Sequence, residues 1–182
     1  YVDLSPVLEE TPNILLISQL GVATGDILAD ILTGKAYPCG KLASTCARYE
    51  DYPAIGDFGG HDDTHYKEGI YVGYRYFDTV EKKPMFPFGF GLSYTTFEVR
   101  PTRLTVDGSY VSVHVSVQNT GKRAGKETVQ VYVSVPEDKL NQPFQTLAAF
   151  QKTKEIEAAQ EHELTITFDL RELRSFDEQT GE

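Results

Sequence analysis

The sequence predicts two structural classes in succession: a fragment of an α/β sandwich, then an all-β sandwich. Three observations predict it. A short apolar run at residues 13–19 (NILLISQ) precedes a stretch whose apolar residues recur at helical spacing. From about Phe97 onward the hydrophobic period changes to two, as a half-buried strand requires. Between them, residues 66–97 carry rings and glycines at a density that a solvated linker does not reach.

Each element follows from local chemistry. The run at 13–19 comes directly after Pro12 and reads as a strand buried on both faces. Thr24 or Gly25 opens a helix, with Asp26 in the first turn where the helix dipole favours negative charge. Ile27, Leu28, Ile31 and Leu32 form its apolar face, and Gly34 is the expected terminator. One strand and one helix cannot close a core, so residues 1–60 read as part of a larger layered domain. Residues 51–63 are a polar, glycine-rich loop. Pro84, Pro87, Gly89 and Gly91 set bends in the aromatic segment.

In the β region, Val111, Val113, Val115 and Val117 alternate with polar residues. Residues 119–125 (NTGKRAG) supply turn chemistry. Val129, Val131, Val133 and Val135 alternate again, ending at Pro136, and Leu164, Ile166, Phe168 and Leu170 make a third run. Counting from Thr102, about five strands fit, and residues 175–182 (SFDEQTGE) read as a turn into a strand that does not follow. The sandwich is expected to be incomplete.

Composition bounds the function. The 182 residues are 40% hydrophobic and 12% aromatic, which is globular rather than disordered. A net charge of −10 argues against a nucleic-acid partner. No apolar run approaches the roughly 20 residues of a membrane-spanning helix, so no membrane partner is expected. The chain begins at Tyr1 without a basic-then-apolar leader pattern, and its compartment stays unassigned. Cys39 and Cys46 form no disulfide framework and are expected as thiols.

Residues 66–97, YKEGIYVGYRYFDTVEKKPMFPFGFGLSYTTF, resemble the junction of family 3 glycoside hydrolases, the β-glucosidase and β-xylosidase group. Residues 25–45, GDILADILTGKAYPCGKLAST, are similar to the end of that family's α/β-sandwich domain. Gly25, Leu28, Ala29, Asp30, Leu32, Gly34, Pro38, Gly40, Lys41, Leu42 and Thr45 match; Cys39 and Ala43 depart, where Ser and Pro are usual. VQNTGKRAGKETVQVYVSVP resembles the family's fibronectin type III-like (immunoglobulin-like) domain.

The resemblance implies the end of an α/β-sandwich domain at 1–60, a connecting segment at 61–97 and an incomplete type III-like domain at 98–182. It implies a chain truncated at both ends. It also implies a retaining β-glycosidase that acts on terminal non-reducing β-D-glucosyl residues through a glycosyl-Asp intermediate and needs no cofactor. The β-linked glucoside or oligosaccharide would be met by a barrel domain outside this sequence, and the fragment alone would be inactive. The competing class is a non-catalytic carbohydrate- or protein-binding accessory module. A bare type III-like domain has neither the α/β preface nor the GFGLSYT junction. A family member that has lost its catalytic residues is a third possibility.

Retaining glycosidases need two carboxylates about 5 Å apart. The family's nucleophile and acid/base motifs have no match in this sequence, so no catalytic residue is assigned, and substrate-binding residues stay unassigned. Glu68 is expected to fix its loop by a charge-assisted hydrogen bond, to Arg75 or a backbone N–H. Tyr71, Tyr74, Tyr76 and Phe77 could stack on a sugar, but packing between domains is the expected use, with Arg75 as an interdomain anchor. His61, Asp62, Asp63 and His65 are the one metal-like cluster; the loop fixes no geometry, so a solvated loop and no metal are expected. His114 and His162 are expected to be exposed. Gly89 and Gly91 lack the context of a dinucleotide fingerprint, and Ser93 is no nucleophile elbow.

Overall fold

The computed structural model describes residues 3–8, 10–19, 21–54, 60–136 and 140–181. Its β region is built by alternation. Strand β1 (Phe97–Asp107) pairs antiparallel with β2 (Tyr110–Asn119), which pairs antiparallel with β5 (Glu161–Asp169). A second sheet holds β3 (Thr128–Val133) and β4 (Thr146–Lys152). In register, Val111, Val113 and Val115 face Phe168, Ile166 and Leu164, so the period-two pattern of both strands turns inward on one face. Val115, Val117, Leu164 and Ile166 meet Val129 and Ile156 in the core between the sheets. Five strands form among the described residues, the number the turn spacing predicts.

The first sheet is covered unevenly. After a bulge between Pro101 and Arg103, Leu104 and Val106 pair with Val113 and Val111 and share their face. Leu104 is nevertheless 63% exposed, because the β3–β4 layer leaves the inner side of β1 uncovered. Pro101 is tolerated because β1 is an edge strand with no neighbour needing its missing N–H.

The first part of the chain is mostly irregular. A short helix α1 (Ser5–Leu8) precedes α2 (Thr24–Leu32), and Gly34 at φ +77° stops α2 in the left-handed region that glycine occupies freely. Residues 13–19 do not form the expected strand. Ile14, Leu15, Leu16 and Ile17 are exposed and belong to neither sheet, since a strand needs a neighbour for its backbone N–H and C=O groups. On the apolar face of α2, Ile27 and Leu32 are exposed and Leu28 and Ile31 are half-buried.

Two boundaries shift. β3 ends at Val133 rather than Val135, and Leu170 falls in a 3₁₀ turn, Leu170–Leu173, that Asp169 caps from its side chain. The aromatic segment contains a helix the sequence pattern does not announce, α3 (Tyr74–Thr79). His114 and His162 are half-buried rather than exposed, His114 lying 3.0 Å from the Thr165 hydroxyl.

Candidate functional site

The aromatic segment is where the two halves meet. Gly73 precedes α3, whose six residues are too few to be helical alone. Packing holds them. Phe77 is buried, edge-on to Tyr52 at 5.6 Å and to Tyr76 at 5.4 Å. Tyr74 lies 4.7 Å from Phe88 and 5.8 Å from Tyr132 of β3, and its hydroxyl accepts a 2.8 Å hydrogen bond from the Leu147 N–H of β4. The Thr79 hydroxyl accepts from the Phe144 N–H, and the Asp78 carboxylate accepts from the Gln145 amide. Burial, with Tyr74 and Asp78 nearby, pushes the Tyr132 phenol up to about 12.

A second seam runs beside it. Leu42 N–H donates to Phe90 C=O and Gly89 N–H to Leu42 C=O, and Cys46 bridges to Phe86 in the same antiparallel sense. At Gly91 a Cβ would lie 2.4 Å from the Gly40 carbonyl oxygen, which explains glycine there by close approach. The Lys41 ammonium donates to the Gly91 carbonyl at 2.8 Å and pairs with Glu127 at 2.8 Å, joining seam, junction and sandwich. The Tyr37 hydroxyl donates to Glu155 at 2.5 Å; burial and that carboxylate together raise the Tyr37 phenol well above its usual range.

A cleft of ≈ 460 Å³ lies at the foot of α3, lined among others by Thr45, Tyr52, Glu68, Arg75 and Phe88. Tyr52 closes one wall, donating to the Thr45 carbonyl at 2.9 Å and accepting from the Ala47 N–H at 3.2 Å. Burial raises its phenol above the ordinary value. The expected bond from Glu68 to Arg75 is not made. Both side chains enter the cleft's lining, and among the described residues neither forms an ion pair or side-chain hydrogen bond. Arg75 thus anchors nothing by an ion pair among the described residues. Tyr74 carries the anchoring instead, a role visible in the sequence only as one ring among several.

Among the described residues Glu68 is the one carboxylate in the cleft's lining, so these residues bring no carboxylate pair of the kind a retaining glycosidase needs into it. His61, Asp62, Asp63 and His65 are all exposed, and no three metal-ligating side chains converge among the described residues. Cys39 and Cys46 share no disulfide; Cys46 is buried, and the Cys39 sulfur accepts from the Lys152 ammonium at 3.6 Å.

Residues 1–94 match the glycosyl hydrolase family 3 C-terminal domain, and residues 127–182 match the fibronectin type III-like domain. The chain belongs to glycosyl hydrolase family 3. This family 3 chain is 42% identical over 182 residues to a β-glucosidase of Ruminococcus albus, covering 97% of this chain and 19% of that protein. It is 40% identical over 172 residues to thermostable β-glucosidase B of Acetivibrio thermocellus, covering 91% and 23%. The structure of β-glucosidase 3B from Thermotoga neapolitana in complex with glucose superimposes with a TM-score of 0.88 at 42% identity, over 97% of this chain and 25% of that one. The family 3 chain therefore spans about a fifth to a quarter of the length of these relatives. No helix among its described residues is long and apolar enough to cross a membrane.

Proposed function

We propose that this chain is the C-terminal portion of a retaining β-glycosidase that hydrolyses terminal non-reducing β-D-glucosyl residues. The observation that carries the reading is likeness to proteins named β-glucosidases over nearly the whole chain, at about 40% identity, in sequence and in fold. Residues 1–60 end the α/β-sandwich domain, 61–97 connect, and 98–182 are type III-like. The described elements include no barrel, and the described residues that line the cleft include no carboxylate pair. The nucleophile and the acid/base therefore lie outside residues 1–182, the β-linked substrate is met there, and these residues alone are catalytically inactive. Their part is mechanical: Tyr74, Lys41 and Tyr37 hold the type III-like sandwich against the α/β layer.

The test is hydrolysis of aryl β-D-glucosides by the full-length protein, with the anomer of the first-formed glucose read by proton NMR. β-Glucose appearing first supports the reading, and α-glucose first refutes retention. Failure to turn over β-glucosides and β-xylosides would leave an accessory binding module. Turnover by residues 1–182 alone would refute the placement of the catalytic carboxylates elsewhere.

A further inference from the structure

Three alternate side chains of residues 37–41 each meet a charged side chain of the sandwich. The Tyr37 hydroxyl donates to Glu155 at 2.5 Å, the Lys152 ammonium donates to the Cys39 sulfur at 3.6 Å, and the Lys41 ammonium pairs with Glu127 at 2.8 Å. The outer two contacts each give a strong donor a carboxylate. The middle one does not: a thiol sulfur is a weak acceptor, and among the described residues it is the one side-chain partner of Lys152.

The fold holds that middle pair in place. Tyr37 and Lys41 pin the segment on either side of Cys39, and Lys152 sits in register with Thr128 at the end of β4, directly before the buried Thr153. Sγ and Nζ thus face each other from fixed backbones although they lie 113 residues apart in sequence. Cys39 is half-buried rather than sealed, so a small oxidant reaches its sulfur.

We propose that Cys39 and Lys152 form a redox-sensitive clasp, a covalent Sγ–O–Nζ bridge between the α/β layer and the sandwich, with a peroxide as the oxidant. One peroxide gives up an oxygen to Sγ as its O–O bond breaks, leaving a sulfenic acid and water. The Lys152 ammonium loses a proton to solvent. Its amine nitrogen then joins the sulfenic oxygen, one hydrogen leaving each, while a second peroxide takes up those two hydrogens and their electrons and departs as two waters. Dithiol reduction reverses both steps and returns thiol, amine and water.

The test treats the full-length protein with hydrogen peroxide in mildly alkaline buffer and maps its tryptic peptides by mass spectrometry. The expected product is a linked pair, one peptide carrying Cys39 and the other uncut after Lys152. It is about 14 Da heavier than the two together, one oxygen gained and two hydrogens lost. Dithiothreitol removes it. Lys152→Arg keeps a cation at the same place and yields no linked pair, and neither does the wild-type chain oxidised in guanidinium, where the fold no longer aligns the two atoms. Closing so long a loop restricts the unfolded chain, so bridged protein is expected to melt about 5 °C above Cys39→Ser treated in the same way.

A linked pair of equal yield in guanidinium overturns the proposal. So does a Cys39 that is unreactive, that stops at a sulfinic acid with Lys152 free, or that forms a disulfide with another thiol. A bridge that leaves the midpoint level with that of Cys39→Ser overturns its role as a clasp. Neither readout involves turnover, so the outcome is independent of whether the protein hydrolyses a glucoside.

Discussion

Asn119 has no solvent-exposed surface, and its side-chain amide is fully bonded. Its oxygen accepts from the Thr95 hydroxyl at 2.7 Å and the Gly121 N–H at 3.0 Å; its nitrogen donates to the Arg123 and Ile156 carbonyls at 2.7 and 2.8 Å. One side chain thus ties the start of β1, the turn after β2 and the loop before β5. Asn119→Ala orphans several buried groups at once. It is expected to destabilise by about 3 kcal/mol, a loss of roughly 6–12 °C in the midpoint by calorimetry. A loss below about 0.5 kcal/mol, the level of an ordinary surface substitution, would contradict this account. The sequence marks Asn119 as a turn residue, which it adjoins, but its bonding reaches Ile156 and no local pattern shows that. The same limit explains Glu68 and Arg75: Arg75 was one of two partners expected for Glu68, and the fold turned both into a cleft without joining them.

Among elements, the strands were readable where one face is buried and the other wet. β2 and β5 carry that alternation, and their registered pairs share the predicted inner face. Residues 13–19 were readable as apolar but not as an element, because a strand exists only beside a neighbour and neither sheet supplies one. Helix α3 was unreadable for the opposite reason: its six residues have no periodicity of their own and take their shape from Phe77 and Tyr74 packing. That packing has a pH signature. Tyr132 has its phenol raised to about 12 in the fold against about 10 in an unfolded chain. The fold favours the neutral phenol, so its contribution is complete below pH 10 and declines as pH rises through 12. Tyr132→Phe, which cannot ionise, is expected to flatten the loss of stability between those values. Urea titrations of both proteins at pH 9 to 11.5 give the comparison, and parallel curves would show that Tyr132 is not linked to unfolding.

At the scale of the molecule, the order of an α/β layer, an aromatic junction and a β-sandwich was legible from changes in period. How the halves dock was not, because the docking residues are single polar side chains far apart in sequence. Lys41 and Glu127 are the clearest of these. They meet at 2.8 Å with side chains 19% and 16% exposed, so water screens them little, yet neither is wholly stripped of it. Glu127 also accepts from the Thr128 N–H, and its own N–H donates to the buried Thr153 hydroxyl. The pair is therefore held in place before it forms, and little side-chain entropy is lost on pairing. Exposed pairs contribute about 0–1 kcal/mol and breaking buried ones costs about 3–5, so Lys41→Met or Glu127→Gln alone should cost about 2 kcal/mol. A double-mutant cycle should give a coupling of about 1–2 kcal/mol, the rest of the Lys41 loss being its bond to the Gly91 carbonyl. Raising salt to 0.5 M should leave that coupling nearly unchanged, which separates a shielded pair from a surface one. Additive single losses, or a coupling that disappears in salt, would mean the sandwich is held by its rings alone, with Tyr74 between Phe88 and Tyr132 as the remaining joint.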